Sequence, residues 1–137
     1  MGVKNATLHF DGGIRGKQIA VGYYASNPNN SKHILVRAGK VLGEGTSNEA
    51  EYQALIHGLR ACLKKGVKII RIIGDSQLIV FQVKGKYAVK KENLKRLHDE
   101  AKELLSRFDE WFIEWVPRER NKIADKLVNE AFKERGL

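Results

Sequence analysis

Three segments of alternating apolar character fill the first 42 residues, and the links between them are short. Ala6, Leu8 and Phe10 alternate with polar residues in the first segment, and the next two are QIAVGYYAS and KHILVRAGKVL. Neighbouring parallel strands need a crossover of about a dozen residues, which these links cannot supply. We therefore predict an antiparallel meander of three strands, with turns at Gly12-Gly13 and at residues 27–30.

The remainder of the chain alternates between helical and strand patterns. TSNE has the spacing of a capping box, and apolar residues then recur at helical intervals until Gly66. VKIIRIIGD predicts a buried strand, SQLIVFQV a short helix and EWFIEWVP a further strand. Helical spacing also marks residues 90–107 and a last helix, for which we predict Asn121 as the cap. Strands and helices in this order predict an α/β fold.

Length and composition favour one intracellular domain spanning residues 1–137. Apolar residues make up 42% of the chain, which excludes a disordered protein, and no apolar run approaches the roughly 18 residues of a membrane span. The N-terminal residues lack the apolar core of a signal peptide, and the single Cys62 can form no internal disulfide. We expect a soluble cytoplasmic protein, with Cys62 a small buried hydrophobe and no nucleophile.

The charge of the chain is strongly positive. Twenty-five Lys and Arg residues against sixteen Asp and Glu residues leave a formal net charge of +9. A field of this sign attracts polyanions, and nucleic acid is the expected partner. The alternative is a protein with a generally basic surface and no such partner.

Four carboxylates occupy positions where each has both a structural and a functional explanation. Asp11 ends the first strand, where a turn-forming Asp is common, and Asp75 ends the strand IIRIIG, where it could be the N-cap of the next helix. Asp125 lies in the first turn of the last helix, which favours acids electrostatically. Glu51 faces inward on its helix, a side that Glu should avoid, whereas Glu49 is accounted for by the capping box.

The segments that hold these four acids resemble the successive motifs of type 1 ribonuclease H, in the same order and across nearly the whole chain. They are FDGG, TSNEAEY, GDSQL and WVPRERNKIADKL. The resemblance implies a five-stranded mixed sheet, three antiparallel strands followed by two parallel ones, flanked by helices. It also implies that the metal-binding and catalytic carboxylates are Asp11, Glu51, Asp75 and Asp125.

The implied activity is endonucleolytic hydrolysis of the RNA strand of an RNA/DNA hybrid, leaving 5′-phosphate and 3′-hydroxyl ends. Carboxylates are hard oxygen ligands that suit Mg²⁺ or Mn²⁺, and two such ions about 4 Å apart activate a water and stabilise the leaving oxygen. Clustered acids repel one another and raise their own pKa values, so bound cations should stabilise the fold.

The resemblance also implies residues that contact the substrate. Asn48 and Gln77 match positions that touch the minor groove and 2′-hydroxyls, with Gly12 beside them. Thr46 is a candidate for a DNA phosphate and Ser47 for a 2′-hydroxyl, although helix capping accounts for Thr46 equally well. Basic residues around Tyr87 could hold the DNA strand, or could simply be a solvated helix face: Lys84, Lys86, Lys90, Lys91, Lys95 and Arg96.

Two features depart from the family pattern. KGKYAVKKENL is too short for the basic protrusion of many members, so this chain is similar to the short archaeal and bacterial form, with lower expected hybrid affinity. All four histidines precede the loop where many members carry a catalytic His, and Arg118 stands there instead, with product release as its expected role.

Alternative functions remain open at this stage. One is a catalytically weak or inactive module that binds hybrids or RNA, and another is a recombinase-type nuclease of the same superfamily, which usually carries extra domains. We expect a monomer, because a domain of this kind needs no partner to fold.

Overall fold

The computed structural model describes residues 4–137, in which the central strand of a five-stranded sheet carries the first of the four acids. The strands are β1 (Asn5–Arg15), β2 (Gln18–Asn27), β3 (Asn30–Glu44), β4 (Ile69–Gly74) and β5 (Glu110–Trp115). The helices are α1 (Ser47–Lys64), α2 (Gln77–Val83), α3 (Glu92–Leu105) and α4 (Lys122–Glu134), and a 3₁₀ turn at Arg118–Arg120 precedes α4.

The sheet is mixed, as the resemblance implied. Its strand order is β3-β2-β1-β4-β5. β1 pairs antiparallel with β2 and parallel with β4, while β2–β3 is antiparallel and β4–β5 parallel. The meander, the two parallel strands and the α/β class are therefore confirmed.

Helices cover both faces of the sheet. Leu8 and Phe10 of β1 and Val21 of β2 lie in one core with α1 and α3, whereas Ala20 lies in a second cluster with α4. Successive strand residues point to opposite faces, so α1 and α4 lie on opposite sides of the sheet. The middle of β1, around Phe10 and Asp11, is consequently enclosed from both sides.

α4 approaches the sheet closely because two paired strand residues have no side chain. Gly22 of β2 lies opposite Gly39 of β3. A Cβ at Gly22 would come within 2.5 Å of the Ala124 carbonyl oxygen, and one at Gly39 within 2.4 Å of the Leu127 carbonyl oxygen. The absence of side chains at these two positions therefore lets the start of α4 pack directly on the backbones of β2 and β3.

The capping box at the start of α1 is confirmed. The Thr46 hydroxyl accepts a hydrogen bond from the Glu49 amide at 3.1 Å, and the Glu49 carboxylate accepts one from the Thr46 amide at 2.8 Å. These bonds satisfy two amides that the helix leaves unpaired at its start.

Polar side chains connect the helices of the larger core. The buried Tyr52 hydroxyl of α1 donates to Gln82 Oε1 of α2 at 2.7 Å, and Gln82 Nε2 donates to the Ala88 carbonyl. The ring of His98 on α3 meets the Tyr52 ring edge-on, with centroids 6.4 Å apart. The buried polar groups of α1 and α2 therefore satisfy one another.

One predicted detail is wrong, and one alternative role is excluded. Gly12-Gly13 does not form a turn, because β1 continues to Arg15 and the chain reverses at Gly16 and Lys17. Asp75 is not the N-cap of α2, because the Ser76 side chain accepts the capping bond from the Ile79 amide. Asp75 is left without a capping role.

Two predictions about burial and membrane segments can also be compared with the structure. Cys62 is buried, and burial raises the pKa of its thiol to about 12, in keeping with an inert side chain. Within residues 4–137, no helix is both long and apolar enough to cross a bilayer.

Candidate active site

Asp11 lies on β1, the strand that pairs antiparallel with β2 and parallel with β4, and it directly follows the last residue that pairs with β4. It is buried, with 7% of its surface exposed, and it pairs across to Gly22. Phe10 points into the α1 side of the sheet, so Asp11 points to the opposite side, towards the start of α4. This is a costly place for a carboxylate without a partner.

Glu51 reaches Asp11 from α1 because β1 and α1 touch at Gly12. The Gly12 amide donates to Glu51 Oε1 at 2.9 Å. A Cβ on Gly12 would lie 2.3 Å from the Ala50 carbonyl carbon and 2.5 Å from the Glu51 amide nitrogen. Only glycine allows the strand and the helix to meet at this distance.

Asp75 follows β4, the parallel neighbour of β1, and is oriented by Asn121. The Asn121 Nδ2 group donates both to Asp75 Oδ2 at 3.0 Å and to the Phe10 carbonyl at 2.9 Å. Asn121 is only 1% exposed. Trp115 Nε1 also donates to the Asp75 backbone carbonyl at 3.0 Å, which fixes the backbone at this residue.

Three of the four predicted acids form one cluster. One carboxylate oxygen from each of Asp11, Glu51 and Asp75 lies within 4.8 Å of the others. Asp125 is not part of this cluster, but it lines a cavity of about 260 Å³ together with Asp11 and Glu51. Asn129 Nδ2 approaches Asp125 Oδ2 at 3.5 Å.

The acids shift one another's protonation equilibria. Burial, followed by the charges of Asp75 and Asp125, raises the pKa of Asp11 to about 8. Burial and the charge of Asp11 raise the pKa of Glu51 well above its ordinary value, and burial raises the pKa of Asp75. The protein therefore does not fully stabilise the negative charge of the cluster. Carboxylate oxygens are the ligands that hard divalent cations prefer.

Arg118 lies at the entrance to the acidic cavity. It is exposed on the 3₁₀ turn before α4 and lines the cavity with Asp11, Glu51 and Asp125. Its charge opposes the upward pKa shifts of Asp11, Glu51 and Asp75. The loop position predicted for Arg118 thus brings it to the carboxylates.

The predicted substrate contacts occupy two regions. Thr46, Ser47 and Asn48 are at the start of α1, and Gln77 begins α2, directly after Asp75 and Ser76. Ser47 and Gly12 line the acidic cavity itself. The basic residues around Tyr87 lie further away along the chain, between α2 and α3, where Lys86 and Lys90 are exposed.

Sequence reasoning missed the role of Asn121. We predicted that it caps α4, and it does occupy the cap position, but its side chain makes no capping bond. It bonds instead to residues 46 and 111 positions away. An Asn before a helix normally indicates a cap, so no local signal distinguishes this use.

Relatives of known annotation match most of the chain. A family model described as "Reverse transcriptase-like" matches residues 10–131. The Ribonuclease HI of Halobacterium salinarum is 40% identical over 125 residues, which cover 90% of this chain and 62% of that protein. The Bifunctional protein Rv2228c of Mycobacterium tuberculosis is 38% identical over 125 residues, covering 90% of this chain and 34% of that protein. The chain thus spans only a third to two thirds of the length of these curated relatives.

Solved structures agree with this relationship. RNase H1 from Halobacterium salinarum NRC-1 superimposes with a TM-score of 0.91 at 38% identity, covering 95% of this chain and 98% of that one. LC11-RNase H1, solved in complex with RNA/DNA hybrid, superimposes with a TM-score of 0.89 at 30% identity, covering 96% and 99%.

A mixed five-stranded sheet with acids clustered beside its central strand, where the pairing of that strand with β4 stops, defines a ribonuclease H-like domain. The matching family model agrees with this class of protein, and the two superimposed structures are both of RNase H1. The chain belongs to the type 1 ribonuclease H family.

Proposed function

We propose that this chain is a metal-dependent endoribonuclease that hydrolyses the RNA strand of RNA/DNA hybrids and leaves 5′-phosphate and 3′-hydroxyl ends. The observation that carries the proposal is the convergence of Asp11, Glu51 and Asp75 in one cluster. Membership of a family that contains ribonucleases H gives this cluster a chemical purpose.

The proposed metal ligands are Asp11, Glu51, Asp75 and Asp125. Their oxygen donors and raised pKa values fit a hard divalent cation, Mg²⁺ or Mn²⁺. Two bound ions would supply the charge that activates a water and stabilises the leaving 3′ oxygen. The Gly12 amide orients Glu51 and Asn121 orients Asp75, so hydrogen bonds hold two of the four proposed donors in place.

The proposed substrate is an RNA/DNA hybrid. Support comes from the net charge of +9 and from the hybrid complex of LC11-RNase H1. Asn48 and Gln77 are proposed to contact the minor groove and 2′-hydroxyls, with Ser47 and the backbone of Gly12 next to them in the cavity. Thr46 remains a candidate for a DNA phosphate, although its hydroxyl already caps α1.

Lys86 and Lys90 are proposed to contact the DNA strand. Both are exposed between α2 and α3, and Tyr87 between them is 46% exposed. An aromatic ring between two exposed lysines can combine stacking with phosphate contacts. This surface would replace part of the basic protrusion that the chain lacks.

Arg118 is proposed to assist product release, since it lies at the cavity entrance without being one of the carboxylates. Arg118→Ala should lower steady-state turnover and leave the single-turnover cleavage rate unchanged. Arg120→Ala, a neighbouring exposed arginine on the same turn, is the matched control. Unchanged steady-state turnover in Arg118→Ala would remove this role.

The extent of the domain, its oligomeric state and its location in the cell are also proposals. We propose that residues 1–137 act as one catalytic domain, that the domain is a monomer, and that it works in the cytoplasm. Sedimentation of the purified protein, alone and with hybrid, tests the oligomeric state directly.

Cleavage of a labelled RNA/DNA hybrid with Mg²⁺, with Mn²⁺ and with chelator tests the main proposal. The same RNA is supplied single-stranded and as an RNA duplex, and the matching DNA duplex is included. We expect metal-dependent cutting confined to the RNA of the hybrid, and its loss in Asp11→Asn and in Asp75→Asn. Binding without cutting would favour an inactive binding module, and cutting of the DNA duplex would favour a recombinase-type nuclease.

A further inference from the structure

Arg15, the last residue of β1, is an arginine in the acidic cavity whose guanidinium is already immobilised. It lines the cavity with Asp11, Glu51 and Asp125. Its guanidinium carbon lies 4.9 Å from the centroid of the Phe132 ring, and its Nη2 group donates to Asn129 Oδ1 at 3.2 Å. Phe132 and Asn129 both belong to α4.

Arg15 has no carboxylate partner, although acids are close by. Within the part of the chain that the structure describes, none of the ion pairs within 4.0 Å involves Arg15. Its one hydrogen bond there, to a neutral amide, uses a single donor of the five that a guanidinium carries. Most of its hydrogen-bonding capacity and its whole charge are therefore available to an external anion.

Immobilisation makes such a group an effective ligand. A free arginine side chain loses rotamer freedom when it binds, and here the aromatic ring and the amide have already restricted it. The planar fork matches two oxygens of a phosphate, and a bond between two charged groups is about twice as strong as a neutral one. The cavity thus contains both carboxylates and an ordered cation.

We propose that Arg15 binds a backbone phosphate of the strand that the carboxylates engage, one that flanks the phosphate being cut, and that Asn129 and Phe132 position it. The proposal rests on the proposed function, since it assumes a nucleic acid strand in this cavity. Arg15 would set the register of the strand, because a phosphate held at a fixed point on β1 determines which phosphodiester reaches Asp11.

Binding of the uncut hybrid in chelator tests the proposal without using catalysis as the readout. Arg15→Ala should raise Kd about tenfold, the loss expected for one charge-assisted hydrogen bond. It should also reduce the slope of log Kd against log salt by about 0.9, the value for one phosphate contact. Lys17→Ala is the control: it removes an equal charge from an exposed residue in the turn that follows Arg15. Its effects on Kd and on the salt slope should be much smaller.

A scan of the RNA strand with single neutral methylphosphonates locates the contact. For the wild type, neutralising one particular phosphate other than the one being cut should weaken binding of the hybrid. For Arg15→Ala, neutralising that same phosphate should have no effect on binding. Asn129→Ala should give part of the effect of Arg15→Ala, and the double variant should bind no more weakly than Arg15→Ala alone.

Two outcomes would overturn the inference. One is a Kd and salt slope for Arg15→Ala equal to those of Lys17→Ala, and the other is the same methylphosphonate profile as the wild type. If Arg15→Ala has a lower melting temperature but the hybrid affinity of the wild type, the role of Arg15 is only to pack on Phe132 and stabilise the fold. If the wild type itself neither binds nor cuts the hybrid, the proposed function fails first, and the variants are not needed to show it.

Discussion

Asp11 shows how much the individual residues of this site depend on a missing counter-charge. The carboxylate is buried beside two other acids, and the opposing charge of Arg118 does not offset their effect on its pKa. Its pKa of about 8 exceeds its ordinary value of 3.8. The folded protein therefore binds more protons than the unfolded chain between these pH values, and the free energy of unfolding decreases as the pH rises through that range.

Asp11→Asn should accordingly stabilise the metal-free protein at pH 8, by about 2 kcal/mol, because it removes an uncompensated buried charge. At pH 4 both side chains are neutral in the folded state, and the difference should disappear. Urea unfolding in chelator at the two pH values measures this. Equal stabilisation at pH 4 and pH 8 would contradict an electrostatic origin.

Asn121 could not be assigned from the sequence because its bonding partners are distant along the chain. Asn121→Ala leaves the Phe10 carbonyl and Asp75 without a donor inside a closed site, and we expect it to cost about 1–3 kcal/mol of unfolding free energy and to slow cleavage. Asn121→Asp should lose more stability than Asn121→Ala, because its carboxylate has no N–H to donate and would repel the Phe10 carbonyl and the Asp75 carboxylate. Thermal melts and single-turnover cleavage measure the two effects, with the exposed turn variant Asn29→Ala as control. Wild-type cleavage in Asn121→Ala would show that Asp75 needs no orienting group.

At the scale of elements, the contact between β1 and α1 determines whether the acids meet. The sequence suggested a turn at Gly12-Gly13 because paired glycines usually mark one. What the pair marks here is a close approach of backbones, which depends on a helix that begins more than thirty residues later. Local patterns predict an element well when its own side chains determine it, as in the capping box of α1, and poorly when a partner element does.

Gly12→Ala should separate β1 from α1, because the new methyl group would meet the backbone of Ala50, which cannot move aside. We expect a loss of about 3 kcal/mol or more of stability, with cleavage lost as Glu51 moves away. Gly13→Ala is the matched control, since its Cβ would meet side chains and no backbone: a methyl group of Val128 at 2.9 Å and the Phe132 ring at 3.7 Å. Urea unfolding compares the variants, and equal losses in the two would refute this account of the glycine.

For the whole molecule, the order of the elements could be predicted from hydrophobic periodicity, and the candidate acids from motif resemblance. Asp11 and Asp75 lie together because each directly follows the last residue pair that joins the parallel strands β1 and β4, Phe10 and Gly74. Asp125 is not in that cluster; it comes from α4 and lines the adjoining cavity with Asp11 and Glu51. The orienting bonds of Gly12 and Asn121 and the immobilised Arg15 depend on packing between distant segments, which no single stretch of sequence encodes.

Divalent cations should stabilise the whole fold, because the site that holds them exists only in the folded state. A cation at one hundred times its Kd adds about 2.7 kcal/mol to the free energy of unfolding. The melting temperature should rise with Mg²⁺ or Mn²⁺, and should not rise with sodium chloride of equal ionic strength. In the triple variant Asp11→Asn, Glu51→Gln, Asp75→Asn the rise should vanish. An equal rise in that variant would place the cations elsewhere.

The four acids lie on β1, on α1, in the link between β4 and α2, and on α4, so no short fragment of the described chain contains the site. Under the proposed function, a partly unfolded chain would keep the positive charge that attracts nucleic acid but would lack the assembled carboxylates. Cleavage would then require the complete fold, whereas nonspecific attachment to nucleic acid would not.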